Sequence, residues 1–462
     1  MNRIRLKQSA LVCLAALACA TAVAETRPNL IFILADDLRW NTLGCEGNDI
    51  IQTPNLDQLV MQGVRFRNCF ATTSICCVSR ASILTGQYER RHGIPNFSKG
   101  LSPAQWSQTY PAMLRQAGYR TGFVGKFGVG GRKAIEAKSA EFDFWRGVPG
   151  QGGRFFIEPN DPTHTHATAR FGNQALEFLE DCTTNQPFCL SISFNAPHAR
   201  DGEAREFQPD LRDEKLYVTN VIPHSPTANR EFFEKLQSFV QKSEGHNRWT
   251  NRFSTDEIFQ RTMRDYYRLI TGIDREVGRV RDELARRHLD ENTVIIFTSD
   301  NGWFAGDRKL ADKWLMYEES IRLPLIIYDP RFAVANRGKV VDAMTLNLDM
   351  AQTMLDFSHV PAPREMQGSS LVPLLTNSAP KDWRTDFFYE HHYAPEIIPP
   401  SEGVRTERWS YIHWLPPNPD VEELYDLSRD SLEGNNVAAD PNYAGTLAEL
   451  RTRWKKYQSE LK

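Results

Sequence analysis

Asn29-Leu30-Ile31-Phe32-Ile33-Leu34-Ala35-Asp36-Asp37 is an unbroken apolar run that ends abruptly in two acids. A run of this length without polar breaks fits a strand buried on both faces, as in the middle of a parallel sheet. Val294-Ile295-Ile296-Phe297-Thr298 repeats the arrangement and leads into Ser299-Asp300-Asn301-Gly302. Residues 120–124 and 190–194 read as further strands, and 111–117 as a helix. Across 259–287, Met263, Tyr267, Ile270, Ile273, Val277, Val280 and Leu284 recur at three- and four-residue steps, predicting a long amphipathic helix. Strands alternating with helices predict an α/β fold: a large, mainly parallel sheet flanked by helices. Ligands of such sheets gather beyond the carboxyl ends of the strands, and both acidic pairs stand there.

From about residue 381 the texture changes. Segments 387–390, 403–406 and 409–414 read as a short antiparallel sheet, followed by a terminal helix at 443–461. This divides the chain into a main domain, 25–380, and a smaller C-terminal α+β subdomain, 381–462. Residues 200–252 are polar, carry proline and asparagine breakers, and read as a surface excursion.

Arg3, Arg5 and Lys7 precede an apolar run from Ala10 to Ala22, and Ala22-Val23-Ala24 supplies small residues around a cleavage point. The pattern predicts an export signal at 1–24, a mature chain beginning at Glu25, and a periplasmic or secreted protein. A retained anchor and, from Cys19, a lipoprotein are the alternatives. No later run is long and apolar enough to span a membrane. The 462 residues are 41% hydrophobic and 24% charged, enough for a large core without disulfide support. The net charge of −3 becomes −6 without the signal cations, which argues against a nucleic-acid surface and leaves any anion to a local cluster. Six cysteines then remain in an oxidising compartment, with Cys182–Cys189 and Cys45–Cys69 as candidate disulfides.

Asp36, Asp37, Asp300 and Asn301 put three carboxylates and an amide at two strand ends, where they repel one another unless a cation lies among them. Hard oxygen donors suit calcium, or magnesium, rather than zinc. For either pair alone, helix capping is the other reading. Cys76-Cys77-Val78-Ser79-Arg80 opens a helix running to Gly86, whose free amides and dipole activate a cysteine, and Arg80 stands one turn on to hold an anion. Two buried structural cysteines are the alternative there.

Ala35-Asp36-Asp37, Thr53-Pro54-Asn55-Leu56-Asp57, Gly63-Val64-Arg65-Phe66, Cys76 to Gly86 and Ser299 to Gly302 resemble the successive signatures of type I sulfatases, in the alkaline-phosphatase-like superfamily. Tyr317 to Pro324, Met366 to Leu371 and Glu423 to Leu427 continue the resemblance, which runs in order from about Arg27 to the C-terminus. It implies hydrolysis of sulfate esters, on a sulfated carbohydrate or glycan, by the 25–380 domain. It also implies that a maturation enzyme oxidises Cys76 to formylglycine, an aldehyde whose hydrate attacks sulfur with one hydroxyl and re-forms the aldehyde through the other. Asp36, Asp37, Asp300 and Asn301 match the family's calcium ligands, with the modified Cys76 completing the shell. Arg80 matches the brace of the formylglycine, and Lys126 and Lys313 match two sulfate-binding lysines. His198 matches a histidine that contacts sulfate and protonates the leaving oxygen.

Three positions depart from the family pattern: Val78 stands where proline or alanine is usual, Gly128 where histidine is usual, and Arg308 where histidine is common. Arg308 is taken as a substrate contact. His391 and His392 are candidates to enter the pocket and replace the missing base, and His164, His166, Gln151 and Arg154 are weaker candidates for substrate contact. Two other functions remain open from the residues: a phosphoester or phosphonate hydrolase of the same superfamily, and a non-catalytic sulfoglycan-binding protein with Cys76 unmodified.

Overall fold

β1 (Asn29–Ala35) is buried along its whole length, as its continuous apolar run requires. In the computed structural model, which describes residues 27–150, 152–156, 165–376 and 378–462, β1 lies at the middle of a large sheet. The segment assigned to an export signal, Gln151 and His164 fall outside the described residues. The other strands of the sheet's first half are β2 (Val64–Phe70), β3 (Arg120–Lys126), β4 (Phe144–Val148) and β5 (Phe188–Ser193). β6 (Thr293–Ser299) follows, then a two-stranded ribbon of β7 (Phe304–Ala305) and β8 (Ala311–Asp312), and then β9 (Arg322–Tyr328), β10 (Lys339–Val341) and β11 (Thr345–Leu346). The order in the large sheet is β10-β2-β9-β6-β1-β5-β3-β4, with β11 also beside β2. Neighbours are parallel except where β9 meets β2 and β6. The mainly parallel sheet expected from the sequence is therefore present, with one reversed strand inside it.

Alternate residues of β1 and β6 feed two cores on opposite faces. Ile31, Ile33, Ile295 and Phe297 enter one; Leu30, Phe32, Val294 and Ile296 enter the other. The first is covered by helices Ala167–Glu180 and Asp256–Arg286, the latter laying down Met263, Ile270, Ile273 and Val277. The second is covered by helices Cys76–Thr85, Tyr110–Gln116 and Asp349–Phe357 through Ile83, Leu114 and Met354. Each such side chain withdrawn from water contributes about 1.5–3 kcal/mol.

The two-faced core also settles the cysteines. Cys182 packs in the first core and Cys189 in the second; Cys45 borders the first and Cys69 lies in the second. The sheet separates both candidate pairs, and all six cysteines of the described residues are free thiols, so neither expected disulfide forms. Cys182 Sγ instead donates to the Phe178 carbonyl at 3.3 Å.

The C-terminal region forms an antiparallel sheet of β12 (Asp386–His391), β13 (Ser401–Thr406), β14 (Trp409–Trp414) and β15 (Val421–Asp426), covered by helix Ala444–Glu460. Phe387, Phe388 and Tyr389 of β12 pack with Phe70, Tyr317 and Leu346 of the main body. No helix among the described residues is long and apolar enough to cross a membrane.

Alkylation of the denatured, non-reduced chain from residue 25 is expected to label all six cysteines, or five where Cys76 has been converted. Intact mass reads the count, and two fewer labels would place a disulfide where the sheet forbids one.

Candidate active site

Strand register builds the site. Ala35 is the Cα partner of Ser299, Leu34 of Ser193, and Ser193 in turn of Gly125. The residues that follow these partners therefore emerge side by side: Asp36-Asp37 after β1, Asp300-Asn301 after β6, the turn leading to His198 after β5, and Lys126 at the end of β3. Cys76 joins them as the first residue of a helix buried over its whole length. Lys313 follows β8 on a strained turn, with φ of 67° at Asp312 and 82° at Trp314. Left-handed backbone at such residues costs about 1–3 kcal/mol each and persists only where surrounding contacts hold it.

Asp36 receives Lys126 Nζ at 2.5 Å on one carboxylate oxygen and Cys76 Sγ at 3.3 Å on the other. Asp37 receives Lys313 Nζ at 2.6 Å, and His198 Nε2 stands 3.5 Å from the same oxygen. The Asn301 amide donates to the second Asp37 oxygen. Arg80 donates from Nε to Asp300 at 2.8 Å and from Nη1 to the Lys126 carbonyl at 2.7 Å and Ser193 Oγ at 2.5 Å. Ligand atoms of Asp36, Asp37, Cys76 and His198 lie within 4.8 Å of one another, close enough to surround an ion. Asn301 Oδ1 is buried without a hydrogen-bond partner, and so is Arg80 Nη2.

Burial dominates the electrostatics. It pushes Asp37 and Asp300 up to about 6, against the pull of Lys313 on the first and of Arg80 on the second. Burial acts on Asp36 too, but Lys126, His198, Arg80 and Lys313 together outweigh it and hold that carboxyl below its usual range. The Cys76 thiol is driven up by burial and by Asp36. Burial, then Lys313, lowers His198 to about 4. Its Nδ1 donates to the Ala199 carbonyl at 2.5 Å, which fixes the neutral tautomer and turns Nε2 toward Asp37.

Asp36, Asp37, Cys76, Arg80, Lys126, His198, Asp300, Asn301 and Lys313 thus converge as the sequence motifs imply. Arg308 does not. Its guanidinium, 2% exposed, donates to the carbonyls of Glu433 and Leu432, faces Glu319, and stacks 4.4 Å over Tyr317. It ties the C-terminal region to the body. His391 is buried in β12, and neither ring nitrogen has a hydrogen-bond partner; burial lowers it to about 3. His392 sits 3.6 Å from Glu390 and 3.4 Å from Glu402, a network shared with Arg90. No hydrogen bond or ion pair links either histidine to the Cys76 cluster. His166 caps helix Ala167–Glu180 through Thr168 N, and Arg154 is exposed.

Gly128 has φ of 75°, and a Cβ there would lie 2.6 Å from Arg80 Cδ. Any side chain at 128, a histidine included, would have to displace this arginine. Two groups escaped the sequence reading: Tyr266, whose hydroxyl donates to the Asp37 carbonyl at 2.7 Å, and Arg248 with Arg252, which grip Asp312. The arginines' four-residue spacing was the available signal.

A buried cysteine, acids and cations gathered at the carboxyl edge of such a sheet fit a hydrolase of anionic esters. The sulfatase family profile matches residues 28–360, and an N-sulphoglucosamine sulphohydrolase C-terminal profile matches residues 306–460. The chain belongs to the sulfatase family and is a sulfuric ester hydrolase. It is 29% identical to an N-acetylglucosamine-6-O-sulfatase of Bacteroides thetaiotaomicron, across 98% of this chain and 90% of that protein. It is 26% identical to an arylsulfatase of Clostridium perfringens, across 92% and 93% of the two. A solved structure in complex with its substrate, D-glucosamine-2-N, 6-O-disulfate, superposes with a TM-score of 0.79 at 28% identity, covering 94% of this chain and 98% of the other.

Gly128→Ala is expected to cost at least about 1 kcal/mol more in urea unfolding than Gly93→Ala. Gly93 has a similar φ of 61°, but its nearest neighbour to an added Cβ is the flexible Lys99 ammonium at 3.6 Å. Equal costs would mean that Arg80 yields freely.

Proposed function

We propose that this protein is an exported, calcium-dependent sulfatase of sulfated carbohydrates, matured by conversion of Cys76 to formylglycine. The observation that carries the reading is the buried convergence of Cys76 with three carboxylates, Asn301, Lys126, Lys313 and His198 on one sheet edge. Residues 1–24 would direct export, 25–380 form the catalytic domain and 381–462 its C-terminal subdomain. A sulfated glucosamine is the first substrate to try, since relatives with that specificity align over nearly the whole chain.

The residues fit a hard dication: Asp36, Asp37 and Asp300 supply carboxylates, and Asn301 supplies a buried carbonyl oxygen with no other partner. Calcium on these ligands would polarise the hydrated aldehyde of residue 76, the source of the attacking oxygen, and offset charge on the sulfuryl group. Arg80, fixed by Asp300, Ser193 and the Lys126 carbonyl, braces residue 76. Lys126 and Lys313 carry the ammonium groups that receive sulfuryl oxygens. His198 presents Nε2 to the pocket; a bound sulfate raises its affinity for a proton, which it then gives to the leaving oxygen.

Two outcomes test this. The tryptic peptide Asn68 to Arg80 from protein secreted by its own host is expected to carry an aldehyde or its hydrate at Cys76, and that protein to release sulfate from N-acetylglucosamine 6-O-sulfate. An unmodified Cys76 in inert protein would favour the sulfoglycan-binding alternative.

The second concerns the ion. With folded values near 6, above the ordinary 3.8, Asp37 and Asp300 contribute stability that is full below 3.8 and lost as pH rises through about 6. A cation at these carboxylates restores it, and protons compete with that cation below about 6. Calcium at roughly 100 times its dissociation constant is therefore expected to stabilise the protein by about 2.7 kcal/mol near pH 7.5. The accompanying rise in Tm shrinks near pH 5. The same rise at both pH values would place the ion elsewhere.

A further inference from the structure

Residues 200–252 read from sequence as a surface excursion, yet one of their helices, Glu244–Arg252, returns to the catalytic edge. Glu244, Arg248 and Arg252 recur there at four-residue steps and face one way. Arg252 is buried, and its three nitrogens reach Asp312 at 2.5 Å, Glu206 at 2.6 Å and Asp201 at 2.7 Å. Arg248 donates from Nη1 to the other oxygen of Asp312 at 2.7 Å, lies 3.0 Å from the other oxygen of Asp201, and is held by Glu244 at 2.8 Å. Two guanidiniums thus bridge the same two carboxylates.

Those carboxylates flank the two groups placed on the sulfuryl oxygens. Asp312 immediately precedes Lys313, is fully buried, and holds left-handed backbone at φ 67°. Asp201 follows His198 by three residues. Lys313 and His198 sit on separate loops, after β8 and β5, and both point at one oxygen of Asp37. Nothing in the sheet register fixes the first of these loops relative to the second. We infer that Arg248 and Arg252 form a clamp that positions Lys313 and His198 for the sulfuryl group, acting through Asp312 and Asp201. These arginines are positioning residues, and the assignment builds on the function proposed above.

The clamp predicts coupling. Asp312→Asn keeps the side chain's shape but removes the charge that both guanidiniums hold. In the mature full-length enzyme it is expected to lower kcat/KM toward N-acetylglucosamine 6-O-sulfate roughly 10- to 100-fold. In a Lys313→Ala background the same change is expected to cost less than about threefold, since the group it positions is gone. Calorimetric titration with inorganic sulfate follows the same pattern without requiring turnover. Should Asp312→Asn reduce the yield of folded protein, Arg248→Gln, at a side chain 25% exposed, takes its place, and Arg248→Lys is expected to recover part of the loss. Equal costs in both backgrounds, or a lowered Tm with kcat/KM and sulfate affinity intact, overturn the clamp. A wild type inert to sulfate esters sinks the proposed activity alone, because the sulfate titration still decides the clamp.

Discussion

Three carboxylates buried at adjacent strand ends cannot all be ionised without cations, and the organisation of this molecule's catalytic edge follows from that demand. Asp36, Asp37 and Asp300 are each essentially inaccessible to water, and Lys126, Lys313 and Arg80 answer them one for one. The three pairs balance. A dication added among the acids would leave two positive charges in surplus, in a site from which water is largely excluded. On the proposed function, that surplus would attract an anionic ester although the chain's net charge is negative. The lysines neutralise the carboxylates of the ion-free protein, and on the proposed function they would turn to an incoming anion once a cation engages those carboxylates.

The same demand reaches outward. Arg80 can serve Asp300 only because β3 and β5 offer it the Lys126 carbonyl and Ser193 Oγ, which hold its fork in place. Lys313 can serve Asp37 only from a turn whose backbone is strained at Asp312 and Trp314. Arg248 and Arg252 bind the carboxylate of that turn, so an ion network outside the pocket meets the strain inside it. A buried network of this kind adds little net stability, but it fixes geometry, which a site of convergent charges requires.

Most of this was legible in the sequence for a simple reason. A strand buried on both faces leaves an uninterrupted apolar run, so β1 and β6 declared themselves, and the acids closing them marked the sheet's carboxyl edge. β9 was less legible because its run includes Pro324 and its reversal depends on tertiary contacts. Arg308 misled because position within a motif does not report direction: its side chain turns away toward Glu319 and Glu433. The disulfides misled because cysteine spacing ignores which face of the sheet each thiol occupies. His391 followed the strand alternation of β12, and His392, just beyond it, local ion pairing rather than the pocket.

Gly128 shows how one departure from a family pattern can follow from another constraint. A glycine in place of a histidine looks like the loss of a base, but here its left-handed backbone and the Arg80 methylene beside it leave no space for a side chain. The volume is occupied by the Arg80 side chain. A histidine placed here would therefore press on Arg80 and on its bonds to Asp300 and the Lys126 carbonyl. Besides the Lys126 carbonyl, Arg80 contacts the side chains of Asp36, Asp300 and Ser193, which are therefore the groups the proposed chemistry at residue 76 has beside its brace. Of the three, Asp300, pushed up to about 6 by burial, is the readier proton acceptor near neutral pH, whereas Asp36 is held below its usual range by the cations around it.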